Sequence, residues 1–256
     1  MTLCPIANEG DVTMSLAVVD KKVLVTGANR GLGRALVEEA LRRGAKRVYA
    51  GSRQPMVVPD ERVTSLVLDV TDPAQIREGV ERVESLDILI NNAGVSVPDD
   101  LGDRSAFERH LAVNLYGTLD VTQAFLPLLA RSRGGVVNVV SLGAVAAVPV
   151  LPAYSVSKAA LLSVTQSLRA LLAGRGVSVY AVLPGPIDTD MVRALEIPKT
   201  PPEEVARATL DGVERGEEEI FPDPMSHLLA EGWRAGATKQ LERQNAALVA
   251  IEPIAA

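Results

Sequence analysis

Two groups of residues in this chain have the types and spacing to do chemistry. Tyr154 and Lys158 stand four residues apart, so on a helix they face the same way. Reduction of a carbonyl leaves an oxyanion that must take up a proton. A free tyrosine, with a reference pKa of about 10, supplies that proton poorly near neutrality. Bringing it to about 7 takes roughly 4 kcal/mol, at about 1.4 kcal/mol per unit. A cation about 4 Å away supplies approximately that at an effective dielectric near 20, so Lys158 is expected to lower the Tyr154 phenol. Alone, such a pair is usually a packed ring beside a solvated amine. The second group is Thr26-Gly27-Ala28-Asn29-Arg30-Gly31-Leu32-Gly33, a glycine-rich turn after an apolar run. Glycines let a backbone turn tightly and approach a pyrophosphate, and a helix starting near Leu32 would aim free N–H groups at it.

Both groups need rigid elements to hold them, and the chain supplies a repeating unit of β-branched run, turn and amphipathic helix. Strands are expected at residues 23–26, 47–50, 63–68, 86–90, 136–141, 177–183 and 219–221. Helices are expected at residues 32–43, 73–84, much of 105–131, 153–173 and 203–215, with a helical region around 225–248. Thr71 or Asp72 would cap the second helix ahead of Pro73. Such alternation implies a parallel sheet covered on both faces by helices, an α/β doubly wound fold in one domain over residues 20–256. Residues 1–19 read as a flexible tail, in which Met14 is a candidate natural start.

The chain has 256 residues, 47% hydrophobic and 23% charged, a composition that folds rather than stays disordered. A net charge of −6 with no basic run argues against a nucleic-acid partner. No apolar stretch reaches the length of a membrane span. The single cysteine, Cys4, excludes a disulfide framework and suits a reducing cytoplasm. His110 and His227 are isolated, without carboxylate–His or Cys–His spacing, and neither is expected to be a metal ligand or a base; no metal site is expected.

The Gly-x-x-x-Gly-x-Gly turn, Asn91-Asn92-Ala93-Gly94 after the fourth strand and Tyr154-Ser155-Val156-Ser157-Lys158, in this order, resemble the short-chain dehydrogenase/reductase superfamily over about residues 20–221. The resemblance implies a Rossmann-type sheet, NAD or NADP as cofactor, a small-molecule carbonyl or alcohol as substrate, and a homodimer or homotetramer. It also implies four catalytic positions. Tyr154 is the acid/base, lowered by Lys158 together with the oxidised nicotinamide's own positive charge; Ser141 hydrogen-bonds the substrate oxygen, and Asn114 holds a water that contacts Lys158 through a backbone carbonyl.

Cofactor positions follow in the same way: Gly27, Arg30, Gly31, Leu32 and Gly33 in the turn, Asp69 and Val70 after the third strand, and Asn91, Ala93 and Gly94 after the fourth. Tyr154 and Lys158 also face the cofactor, and Pro184, Ile187 and Thr189 would fix the nicotinamide. Asp69 could hold the adenine amino group or cap a turn, or both. An NAD site normally ends its second strand with an acid that would repel a 2′-phosphate. Here Ser52 and Arg53 stand there, and with Arg30 they suit a phosphate, so NADP(H) is favoured over NAD(H).

Leu142, residues 148–151, Pro186, Met191 and Leu195, within a substrate loop near 186–202, would line an apolar pocket or simply pack. Trp233 would serve a subunit contact or a pocket lid. The favoured function is NADPH-dependent interconversion of an apolar ketone or aldehyde and its alcohol. A noncatalytic cofactor-binding regulator would be expected to lack Tyr154, Lys158 or Ser141. An isomerase or lyase with retained cofactor would be expected to carry a larger C-terminal domain.

Overall fold

The computed structural model describes residues 15–57, 59–193 and 196–250. Seven parallel strands form one sheet in the order β3-β2-β1-β4-β5-β6-β7. They are β1 (Lys22–Thr26), β2 (Arg47–Ser52), β3 (Val63–Val67), β4 (Ile88–Asn91), β5 (Gly135–Val139), β6 (Ser178–Val182) and β7 (Glu219–Ile220). The sheet order reverses between β1 and β4, and in such folds ligands bind where that reversal opens a crevice at the strand C-termini. The glycine turn lies at the end of β1 and the Asn-Asn-Ala-Gly segment at the end of β4, so both flank that crevice.

Helices cover both faces. On one side α1 (Gly31–Arg42) and α6 (Pro202–Arg215) bury Leu36, Val205 and Leu210 against the sheet. On the other, α2 (Pro73–Arg82), α4 (Thr118–Ser132) and α5 (Pro152–Ala173) bury Ile76, Phe125, Leu129 and Leu172. Asp72 is the cap of α2, accepting from the Ala74 and Gln75 amides. Arg43, nearly buried, joins α1 to α6 by pairing with Glu39, Asp211 and Glu214.

Two expectations change. The ordered chain does not start at Asp20: Leu16 and Val18 sit in the core, and the Ser15 hydroxyl donates to the Glu214 carbonyl. Their alternation buries two apolar side chains without forming a strand. Residues 1–14, with the candidate start Met14, lie outside the described residues, as does Leu195. The helical stretch expected at 105–131 is compound: α3 (Arg104–His110) runs into a π-helical turn, Leu111–Gly117, and then α4. A π turn inserts one residue into the helical ladder and rotates what it carries, here Asn114.

After β7 the C-terminal region breaks at Gly236 into α7 (Pro224–Ala235) and α8 (Ala237–Ala246). A buried ion-pair cluster docks α8 on the sheet edge. Lys239 meets Glu218 at 2.6 Å, Glu219 at 2.9 Å and Glu242 at 3.0 Å, and Arg169 of α5 pairs with Glu219 and Glu242. Among the described residues no helix is long and apolar enough to cross a membrane.

Candidate active site

The glycine turn is held open by its neighbours. Gly27 has a φ of +66°, which favours glycine, and a Cβ there would stand 2.9 Å from the Ala93 Cα. Thr26 and Asn92 tie this approach together. The Thr26 hydroxyl accepts from the Asn92 and Ala93 backbone amides, each at 3.0 Å, while the Asn92 side-chain amide donates to the Thr26 and Gly27 carbonyls. Sequence reasoning assigned no role to Thr26 or Asn92, although both lie within the quoted motifs. Thr189 comes down on the turn from the far side, its methyl 3.0 Å from where a Cβ of Gly31 would lie.

These features fit a pyrophosphate. Arg30, the N-cap of α1, makes no side-chain cap bond, and the first turn of α1 carries no acid. The helix start therefore presents N–H groups that no side chain satisfies, with the positive end of its dipole. Leu32 and Gly33 are buried behind it.

The positions expected at the adenosine end differ in how free they are. Arg53 is exposed and makes no ion pair among the described residues. Arg30 is two-thirds exposed but pairs with Asp190 at 3.0 Å. The Ser52 hydroxyl does not complete a clamp as expected: it is buried, and its proton goes to the Gln54 carbonyl at 2.5 Å. A phosphate needs donors, so this burden shifts to the two arginines. Asp69 is a turn cap, one oxygen accepting from the Thr71 amide and hydroxyl, and Val70 is buried beside it. Asn91 is turned inward, donating to Thr122 and Asn138, and Asn138 donates in turn to Thr165. This buried polar ladder crosses from α4 through β4 and β5 to α5, so Asn91 positions strands.

Around Tyr154 the side chains converge. Ser141 follows β5, and its hydroxyl accepts from the Gly143 amide at 3.0 Å; a Cβ on Gly143 would lie 3.4 Å from that oxygen and 3.6 Å from the Tyr154 ring, so the two side chains adjoin. Lys158, one turn along α5, is 4% exposed, and its Nζ donates to the Val139 carbonyl at 2.8 Å. That Nζ is 5.8 Å from the centre of the Tyr154 ring. Gly94 adjoins both Asn114 and Lys158: a Cβ there would lie 3.3 Å from Asn114 Oδ1 and 3.8 Å from Lys158 Nζ. Asn114 is fully buried, donating to the Val95 carbonyl and the Ser157 hydroxyl and accepting from the Val95 amide.

The electrostatics run against the expected lowering of Tyr154. Burial pushes the phenol above its ordinary value, and only the Ser141 hydrogen bond opposes it. Burial likewise pulls Lys158 from 10.5 down to about 8. The same desolvation that makes charges interact strongly also penalises each of them, a cost sequence spacing does not reveal.

The segment expected at the nicotinamide closes on itself. Ile187 bridges Thr200, the Thr200 amide donates to the Pro186 carbonyl, and Pro184 accepts from the Leu142 amide. Asp223, unassigned by sequence reasoning, anchors α7 here: it accepts from the Gly185 amide at 2.7 Å and caps the helix through Ser226. Met225 then packs over Gly185. Val145, Val150 and Met191, on the segments after β5 and β6, and Met225, at the start of α7, stay exposed. Trp233 packs edge to face on Phe221.

A switch-point crevice lined by a phosphate-type turn on one side and a Ser–Tyr–Lys grouping on the other is the architecture of a dinucleotide-binding dehydrogenase or reductase. Comparison narrows that class: the short chain dehydrogenase family model matches residues 21–199, and the chain belongs to that family. Mouse estradiol 17-beta-dehydrogenase 2 is 35% identical over 199 residues, covering 71% of this chain and 52% of that protein. The chain thus spans about half the length of that relative. The oxidoreductase UcpA of Escherichia coli is 34% identical over 190 residues, 68% of this chain and 72% of that one. A short chain dehydrogenase from Burkholderia cenocepacia, solved in complex with NADP, superposes with a TM-score of 0.82 at 36% identity, over 90% of this chain and 98% of that one.

Proposed function

We propose that this protein is an NADPH-dependent oxidoreductase that interconverts an apolar ketone or aldehyde and its alcohol. The observation that carries the reading is Ser141 adjoining Tyr154, beside a buried Lys158 held on the Val139 carbonyl. NADP(H), when bound, supplies or accepts the hydride.

The protein's own residues do the rest. Ser141 and Tyr154 hold the substrate oxygen between two hydroxyls. Tyr154 gives its proton to the oxygen as the carbonyl is reduced and takes it back in the reverse direction. Lys158 favours the phenolate that this leaves, because a cation and an anion buried together interact far more strongly than in water. Gly27, Gly31, Gly33 and the start of α1 hold the pyrophosphate, with Pro184, Ile187 and Thr189 at the nicotinamide. Leu142, Val148 and Met225 keep the pocket apolar.

Preference for NADPH is supported by Arg53, exposed and unpaired among the described residues, by Arg30 in the glycine turn, and by the lack of an acid at the end of β2. The Burkholderia relative was solved with NADP. A homodimer or homotetramer is the assembly we propose, checked by sedimentation. Calorimetry with NADPH and NADH, on wild type and Arg53→Ala, tests the cofactor assignment. NADPH should bind the more tightly, and the substitution should weaken it about tenfold, the worth of one charge-assisted hydrogen bond, with NADH unchanged. Tighter binding of NADH would overturn the assignment.

A further inference from the structure

His110, set aside as isolated in sequence, lies at the catalytic centre in space. It ends α3, immediately before the π-helical turn that carries Asn114, and is fully buried. Its Nδ1 lies 2.7 Å from the Ala106 carbonyl, which can only accept, and its Nε2 lies 3.0 Å from the Val97 amide, which can only donate. These partners fix the neutral tautomer with its proton on Nδ1. No proton remains for exchange with Tyr154, although the two rings meet edge to face with centroids 6.3 Å apart. His110 is thus excluded as an acid or base, but it touches two parts of the site at once.

The segment it holds, residues 95–99, crosses the site. It begins beside Gly94, close to Lys158 Nζ, and ends at Asp99, whose carboxylate lies 3.3 and 3.4 Å from the Ala153 amide, one residue before Tyr154. Three side chains fasten it: Asn114 at Val95, His110 at Val97, and Asp99 at the start of α5. That start has no side-chain cap on its own N-cap residue, Leu151, so Asp99 supplies a carboxylate where the helix dipole favours one. Of the three fasteners only His110 also bears on the Tyr154 ring.

We propose that His110 is a positioning residue: it couples the wall formed by residues 95–99 to the Tyr154 ring, and so sets how a carbonyl substrate lies against the phenol. This rests on the proposed oxidoreductase function. A buried histidine with both nitrogens satisfied would otherwise count only as core, and the two roles differ in what they change. A purely structural histidine alters stability; a positioning one alters substrate KM and kcat and leaves cofactor binding alone.

The test uses the full chain with NADPH. His110→Phe keeps a ring against Tyr154 and loses both hydrogen bonds, whereas the amide oxygen of His110→Gln reaches the place of Nε2 and can still accept from Val97. The phenylalanine variant should raise KM for an apolar ketone about tenfold and lower kcat several-fold, with the dissociation constant of NADPH within about twofold of wild type. The glutamine variant, which holds the wall but lacks the ring, should recover only part of the KM loss, falling between wild type and the phenylalanine variant. Amide hydrogen exchange over residues 95–99 in the NADPH complex should quicken in His110→Phe and stay near wild type in His110→Gln.

Wild-type KM, kcat and exchange in folded His110→Phe would overturn the inference. If that variant does not fold, His110→Asn, which reaches Ala106 but not Val97, takes its place and must show the same losses. Absence of turnover by wild type on any apolar carbonyl would instead overturn the proposed function and, with it, the substrate-positioning role, while exchange over residues 95–99 would still show whether His110 holds that wall.

Discussion

On the β1–β3 side of the crevice, the groups placed to meet a cofactor are main-chain amides and exposed guanidiniums; on the β4–β6 side, the groups placed to do chemistry are half-buried or buried and held against the strand ends. Arg30 is two-thirds exposed and spends its charge on Asp190, while Lys158 is 4% exposed and fastened to a strand carbonyl. The contrast follows from what each side must achieve. Selecting a cofactor requires charges that exchange one partner for another at small cost. Moving a proton requires groups whose positions are set within a fraction of an ångström and whose charges are not screened by water. Substitutions should therefore cost little on the first side and much on the second.

Lys158→Met should show the largest effect. Turnover should fall by at least about 100-fold, the low end of what a positioned proton-transfer system contributes. Stability should respond in the opposite sense, which separates a catalytic loss from misfolding. The folded pKa of Lys158 is depressed from 10.5 to about 8, so within that window the unfolded chain binds more protons than the folded one. The penalty for the charged group is full below about 8, and stability rises as pH climbs from there towards 10.5. Urea melts across that range should show this rise in wild type and lack it in Lys158→Met. Equal pH dependence in the two proteins would remove the buried ammonium from the account.

Asp223→Ala should have an intermediate effect. It removes the cap of α7 and strands the Gly185 amide, costing about 1–2 kcal/mol in chemical denaturation. It should also raise substrate KM by freeing Met225 from its place over Gly185. A variant as stable as wild type would show that the cap does not anchor the helix.

Asp190→Asn should give the smallest effect and mark the other side of the contrast. Releasing Arg30 from an exposed ion pair, worth at most about 1 kcal/mol, should tighten NADPH binding by no more than about fivefold in calorimetry and leave NADH unchanged. A large loss of NADPH affinity would mean that Asp190 orients Arg30 for the phosphate.

The two sides also differ in how legible they were in the sequence. The glycine turn and the Tyr154–Lys158 pair are local patterns, so their spacing alone placed them on a strand–helix turn and on one helix face. Strand identity was legible for the same reason, because residues 23–25, 86–90 and 136–140 are near-continuous apolar runs. What escaped was contact over long separations. Asp99 reaches Ala153 across 54 residues, and Asp190 reaches Arg30 across 160. His110 meets Val97 across a loop that Asn114 of the π-helical turn also holds, at Val95. Leu16 and Val18 alternate before β1 and did carry a signal, which their separation from any strand obscured. The rise that burial gives Tyr154 was not legible, because spacing reports a nearby cation and says nothing about the water excluded with it.

The most direct test of the central claim is single-turnover oxidation of bound NADPH by an apolar ketone, in wild type and in Tyr154→Phe with cofactor binding checked by calorimetry. The account predicts that Tyr154→Phe binds NADPH as wild type does and oxidises it at least about 100-fold more slowly. A folded Tyr154→Phe that turns over at close to the wild-type rate would contradict it.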